Sequence, residues 1–178
     1  MELGVFRSEW LSEMVTDRGD MLRDLSNKHP VLLVFLRHFG CVFCREALME
    51  ISRTKSSLEA GGTRIVFVHM ADSKTAAGYF RKFGLSDSPH ISDPECRYYA
   101  AFGLVKGSLH QLFGLRTLLR GVSAGVQQGQ TPGPIVGDGF QMPGVFVLVN
   151  GEVRESFIHR LSSDRPDYAQ LASCCVIE

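Results

Sequence analysis

A chain of 178 residues has room for one domain with a core of ordinary size. Its 44% hydrophobic and 21% charged residues exclude a disordered or fibrous class, and nineteen basic against nineteen acidic residues leave no electrostatic case for nucleic acid or an anionic membrane. The longest apolar runs, Val31 to Leu36 and Val145 to Val149, are far too short to cross a bilayer.

The opening residues, Met1-Glu2-Leu3-Gly4, lack the basic and apolar segments of a secretory leader. Five cysteines, two of them closely spaced, fit a reducing cytoplasm better than a disulfide-stapled fold. Trp10, Leu11, Met14, Met21, Leu22 and Leu25 predict an amphipathic helix from about Ser8 to Lys28, with Gly19 a point of breakage. Val31 to Leu36 reads as a strand buried on both faces. After Gly40, the apolar positions Cys44, Ala47, Leu48, Ile51 and Leu58 predict a helix that stops at Gly61-Gly62. Arg64 to Met70 is a second buried strand, and strand–helix–strand in this order marks a parallel sheet.

Ser73 is the expected cap of a helix carrying Ala76, Ala77, Phe80 and Phe83, closed by Gly84. His69, at a strand end, reads as a partly buried histidine satisfied by backbone rather than a site residue. Pro89 to Ile91 is a short strand at most. Asp93-Pro94 is expected to start a short helix that carries Cys96, with Tyr98, Tyr99 and Phe102 as packing residues. Residues 105–140 form an insertion: an apolar helix from Leu109 to Leu119, then a Gly- and Pro-rich tract from Gly121 to Gly139. A loop of that length is usually a lid or mobile. Val145 to Val149 and Glu152 to Ile158 flank Asn150-Gly151, a strong hairpin signal. Ser163 or Asp164 is expected to cap a last helix through Tyr168 and Leu171. At the end, a Cys174–Cys175 bond would be strained, since neighbouring Cα atoms lie only about 3.8 Å apart.

Cys41 and Cys44 stand where the first buried strand turns into a helix. A thiolate is the attacking species in disulfide exchange and peroxide reduction. A helix N-terminus favours that anion, and Arg37, His38 and Arg45 are expected to add positive field. A second thiol one turn on can release the first by closing an internal disulfide. These two cysteines are the candidate catalytic residues, with Cys41 expected to be the more exposed. A structural zinc site would need four ligands, and neither a second C-x-x-C nor a close pair of histidines is present, so no metal is expected.

The segment Phe35-Leu-Arg-His-Phe-Gly-Cys-Val-Phe-Cys-Arg-Glu46 resembles the active-site segment of the peroxiredoxin-like branch of the thioredoxin-like superfamily, related to alkyl hydroperoxide reductase and thiol-specific antioxidant proteins. Asp93-Pro94 with Tyr98, Tyr99 and Phe102-Gly-Leu104 is similar to a peroxiredoxin element. Met142-Pro143-Gly144 resembles the point where thioredoxins place a cis-proline before a strand. Typical peroxiredoxins carry Thr or Ser three residues before the reactive cysteine and Pro four before that. Cys41 and Arg37 stand there if Cys44 aligns, His38 and Val34 if Cys41 aligns.

The resemblance, which runs from about Val31 to about Leu171, implies an α/β, thioredoxin-like fold, and the length suits one such domain over residues 1–178. A mixed sheet flanked by helices would form its centre, with residues 1–30 an N-terminal helical segment and 105–140 inserted before the cis-Pro strand. It also implies that Met142 and Pro143 face the cysteines, that the Met142 backbone pairs with an extended substrate, and that no cofactor is bound. A thioredoxin- or glutathione-type thiol would act as external reductant on a peroxide- or disulfide-reducing enzyme, in which a homodimer is an open expectation. Two alternatives stand beside it: reduction of lipid endoperoxides, an activity found in that branch, and a binding or scaffold protein with inert cysteines.

Overall fold

The computed structural model describes residues 9–113 and 135–173. Its centre is a five-stranded mixed sheet in the order β3-β2-β1-β4-β5. Strand β1 (Val31–Phe35) lies in the middle, parallel to β2 (Arg64–His69) and antiparallel to β4 (Gly144–Val149). Beyond them lie β3 (His90–Ser92), parallel to β2, and β5 (Glu152–Ile158), antiparallel to β4.

Side chains alternate across a strand, so the unbroken apolar run of β1 feeds two cores. Leu32, Val34 and Leu36 pack on one face with Leu48, Ile51, Phe67, Val145 and Tyr168. Val31, Leu33 and Phe35 pack on the other with Leu11, Val68, Tyr99 and Phe146. Phe35 meets the rings of Tyr99, Phe102 and Phe146 at centroid distances of 5.0, 4.9 and 5.7 Å. Burying a side chain of this size contributes about 1.5–3 kcal/mol.

Helix α3 (Val42–Ala60) follows β1 and covers the first core, joined there by α4 (Ser73–Lys82) and α7 (Tyr168–Ser173). The expected single N-terminal helix is two short ones, α1 (Trp10–Glu13) and α2 (Leu22–Lys28). Between them the chain turns at Gly19, whose φ of +84° suits glycine, and Thr16 Oγ1 accepts the amides of Arg18 and Asp20.

Two expected caps move by one or more residues, and a third keeps its place while its helix starts later. Asp72, not Ser73, accepts the Thr75 amide at the start of α4. Asp167, rather than Ser163 or Asp164, accepts the Gln170 amide at the start of α7. Asp93 does act as a cap, but of a helix beginning four residues later: its carboxylate accepts the amides of Arg97, Tyr98 and Tyr99 at 2.9, 2.8 and 3.3 Å. Cys96 therefore precedes α5 (Arg97–Ala101) rather than lying on it, in the left-handed region at φ 56°.

The hairpin forms as expected, with Asn150 and Gly151 both at positive φ. Gly144 is required for a different reason: a Cβ there would stand 2.6 Å from Leu104 Cδ2. Within the insertion, α6 (Leu109–Phe113) and residues 135–141 are described, and Lys106 pairs with Gln141 across an isolated bridge. The remainder of the apolar helix, most of the Gly- and Pro-rich tract, and Cys174 and Cys175 lie outside the described residues. Among the described residues no helix is long and apolar enough to cross a membrane.

Candidate active site

The chain leaves β1 through a loop held from several sides. The Tyr99 hydroxyl donates to the Leu36 carbonyl at 2.5 Å and lies 3.1 Å from that of Val68. Phe39 stacks on Tyr79 at 4.5 Å and meets the edge of Phe80. The Cys41 amide closes a turn onto the His38 carbonyl at 2.9 Å, and the Cys41 carbonyl accepts the first helical bond of α3, from Arg45. Cys41 is thus the N-cap residue of α3, and Cys44 sits in its first turn. Both are buried, at 6% and 4% exposure, so Cys41 is more exposed only marginally.

Two forces act on the sulfurs in opposite directions. The Cys41 thiol is pulled down to about 6: the Cys44 thiol donates to it, and Arg37 and the Cys44 amide add to this against the cost of burial. Arg37 Nη1 lies 3.4 Å from Cys41 Sγ. Cys44 moves the other way, because its proton is committed to Cys41 and because it is wholly buried. At neutral pH the arrangement is therefore a Cys41 thiolate beside a Cys44 thiol. Both cysteines are free rather than bonded to each other.

Of the expected charged neighbours, Arg37 alone holds the sulfur directly. Its Nη2 also donates to the Gly139 carbonyl, so residues 135–141 lie against the site. Lys106 fastens that segment through Asp138 at 2.7 Å. His38 brings no charge, because burial and the adjacent Arg37 depress its pKa to about 4. Arg45 turns its Nε to the Phe39 carbonyl at 3.0 Å and thereby braces the loop. His69 is fully rather than partly buried, with the Ala71 backbone at its ring as expected and the His90 ring 2.9 Å away as a second partner.

The proline expectation needs correcting. Every described peptide bond is trans, including the one before Pro143. The Met142 amide donates to the Val105 carbonyl at 3.2 Å and its carbonyl accepts from Gln141 Nε2, so that backbone is engaged internally rather than open to a substrate strand. The Met142 side chain packs near Gly107, away from the sulfurs. Pro143 does line the site.

The sulfurs open onto a cleft of about 480 Å³ with its mouth, of which only about 30 Å³ can take a water-sized molecule. Its walls bring in residues that the C-x-x-C motif does not contain: His159 after β5, and Glu46, Glu50, Asp164, Arg165 and Tyr168. Arg165 bridges Glu50 at 2.6 Å and Glu46 at 3.3 Å. Arg37 Nε and His159 Nδ1 are buried without a hydrogen-bond partner among the described residues. His159, at the end of the hairpin, could be expected from sequence to supply positive charge, but its pKa near 4 leaves it neutral. Glu46 and Glu50, at i+2 and i+6 from Cys44, and Arg165 carried no sequence signal for the site. Among the described residues no three His, Cys, Asp or Glu side chains form a metal-binding group. Cys96 lies in a different setting, with Asp93, Asp138 and Lys106 as its charged neighbours.

A thioredoxin-like sheet with a cysteine at the start of the helix after its central strand defines a peroxiredoxin-like fold. Residues 50–162 match the family model for the AhpC/TSA antioxidant enzymes, and the chain belongs to that family. The match begins downstream of Cys41 and Cys44. A prostamide/prostaglandin F synthase from Salmo salar is 26% identical over 163 residues, covering 90% of this chain and 80% of that protein. A PrxQ cysteine-to-serine mutant from Xylella fastidiosa shares the fold with a TM-score of 0.66 at 13% identity, covering 98% of this chain and 94% of the other. The bacterioferritin comigratory protein of Xanthomonas campestris, studied for alkyl peroxide reduction, superposes with a TM-score of 0.62 at 16% identity, over 98% and 92% of the two chains.

Proposed function

We propose that this protein is a thiol-dependent peroxide reductase in which Cys41 attacks and Cys44 resolves. The observation that carries the reading is the Cys41 sulfur, 3.4 Å from the buried Arg37 guanidinium, in the wall of a narrow cleft. The Cys41 thiolate attacks one peroxide oxygen, the O–O bond breaks, and the departing alkoxide takes a proton to leave as alcohol or water. The Cys41 sulfenic acid then condenses with Cys44 to give a disulfide and water. An external thiol of the thioredoxin or glutathione type reopens the disulfide.

Attack itself prepares the second step. The two effects that raise the Cys44 thiol most directly through its partner, donation to the Cys41 thiolate and repulsion from it, vanish once Cys41 is oxidised. The narrowness of the cleft at the sulfurs favours a small hydroperoxide group at the reacting atom. Kinship to proteins named prostamide/prostaglandin F synthase favours a second reading, reduction of a lipid endoperoxide presented at the mouth.

Intact mass and thiol titration after one equivalent of hydrogen peroxide test this. Wild type is expected to lose two thiols, Cys44→Ser to yield a dimedone-trapped sulfenic acid at Cys41, and Cys41→Ser to stay reduced. Trapping at Cys44 instead would invert the roles. Oxidation by a small disulfide but not by peroxide would turn the reading to disulfide exchange. Inertness to both would leave a scaffold with structural cysteines. Faster turnover of a prostaglandin endoperoxide than of hydrogen peroxide would select the second reading.

A further inference from the structure

We propose that His159 is the proton acceptor for Cys44 when the disulfide to Cys41 closes, a role that rests on the thiol-oxidoreductase reading above. Closing the disulfide requires the wholly buried Cys44 thiol to lose its proton inside the cleft, and few groups there can take it. Arg165 holds Glu46 and Glu50 in ion pairs. Asp164 accepts the amides of Arg160 and Leu161 at 2.7 and 2.8 Å. Tyr168 is kept firmly protonated by burial. Arg37 has only donors.

His159 differs from all of these. It lines the same cleft as both sulfurs, and its Nδ1 is buried with no hydrogen-bond partner among the described residues. Burial keeps the ring neutral, with a pKa of about 4, against the Asp164 carboxylate and the Pro143 and Asp164 backbone, which favour the charged form. A neutral imidazole with its proton on Nε2 offers the Nδ1 lone pair. The ring is held in place from two sides: Phe157 meets it edge-on at 5.0 Å, and β5 ends opposite Gly144, which sets the residue beside Pro143. The cleft that the Cys44 and His159 side chains both line has room for water.

The step balances. The S–S bond forms as the S–O bond of the Cys41 sulfenic acid breaks. His159 takes the Cys44 proton and returns it to the departing hydroxide, which leaves as water. The electrons from the two sulfurs have gone to the peroxide. With a disulfide substrate, the S–S bond of the mixed disulfide breaks instead, and the departing thiolate receives the proton.

The experiment uses the full reduced chain, hydrogen peroxide and hydroxyethyl disulfide, with wild type, His159→Gln and His159→Ala. Measured against each variant's own first oxidation of Cys41, closure is expected to slow on the order of 100-fold. A sulfenic acid or mixed disulfide at Cys41 then accumulates. Added imidazole is expected to restore closure in His159→Ala but not in wild type, increasingly as pH rises and free base forms. Closure as fast in both variants as in wild type would overturn the proposal. So would slow closure that imidazole does not rescue, the signature of a merely structural role. A wild-type chain whose Cys41 reacts with neither oxidant would overturn the thiol-oxidoreductase reading itself, an outcome distinct from failure of His159 alone.

Discussion

At the scale of single residues, the site depends on how a few buried groups share protons and charge. Cys41 is a thiolate near neutral pH because a neighbouring thiol, a guanidinium and a helix amide all face it. Alkylation of Cys41 by iodoacetamide, followed by mass spectrometry, should therefore show a midpoint near pH 6, with Cys44 unmodified throughout. Arg37→Met removes the positive charge and should move that midpoint up towards the ordinary thiol range. An unchanged midpoint in the variant would mean that the guanidinium does not stabilise the anion. His38 and Arg45, both expected to contribute charge, shape the loop instead, one as a neutral ring and the other by bracing Phe39.

Elements in this fold are positioned by side chains reaching across sequence. Asp93 satisfies three backbone donors at the start of α5, and α5 carries Tyr99, whose hydroxyl secures the carbonyl end of β1 beside the cysteines. Asp93→Ala leaves those donors buried without their acceptor and should cost about 2 kcal/mol in urea unfolding. Gly144→Ala tests a different link. The added methyl would meet Leu104 and Phe146 in the second core, and overpacking of this kind costs about 1–3 kcal/mol. A loss below a few tenths of a kcal/mol in either variant would show that the neighbouring chain relaxes freely.

For the molecule as a whole, buried titrating groups make stability depend on pH. His38, His69 and His159 have folded pKa values near 4 against an ordinary value of 6.5. Between those values the unfolded chain binds protons that the folded chain refuses, so stability falls as pH falls from about 6.5 to 4. Each such histidine contributes a slope of about 1.4 kcal/mol per pH unit where the difference is complete. Cys41 acts in the next window: its depressed pKa stabilises the fold above the ordinary thiol value, and that contribution is lost as pH falls from 9 to 6. Urea midpoints of the reduced protein should thus rise from pH 4 to about 8. Cys41→Ser should flatten the upper part of that rise and leave the lower part intact. A flat profile between pH 4 and 6.5 would contradict neutral buried histidines.

Much of this was legible in the amino-acid order. The apolar run Val31 to Leu36, the helix ending at Gly61, the strand Arg64 to His69 and the Asn150-Gly151 hairpin are local patterns set by side-chain period and turn chemistry, and each appears where expected. The placement of Cys41 at a helix start is local as well, because strand, turn and helix follow one another directly. The cap positions slipped because Asp, Ser and neighbouring residues compete for the same few amides, and the winner depends on the angle at which the chain arrives.

What only the tertiary structure decided is the company of the sulfurs. His159 and Arg165 come from more than a hundred positions away through β5 and the turn before α7, and the Gly139 carbonyl reaches Arg37 from the insertion. Met142, close to Pro143 in sequence, is drawn off by the Val105 carbonyl. Spacing along a chain determines which face of an element a residue occupies. Which faces meet, and therefore which charges and lone pairs share one cleft, is settled by the order of strands in the sheet.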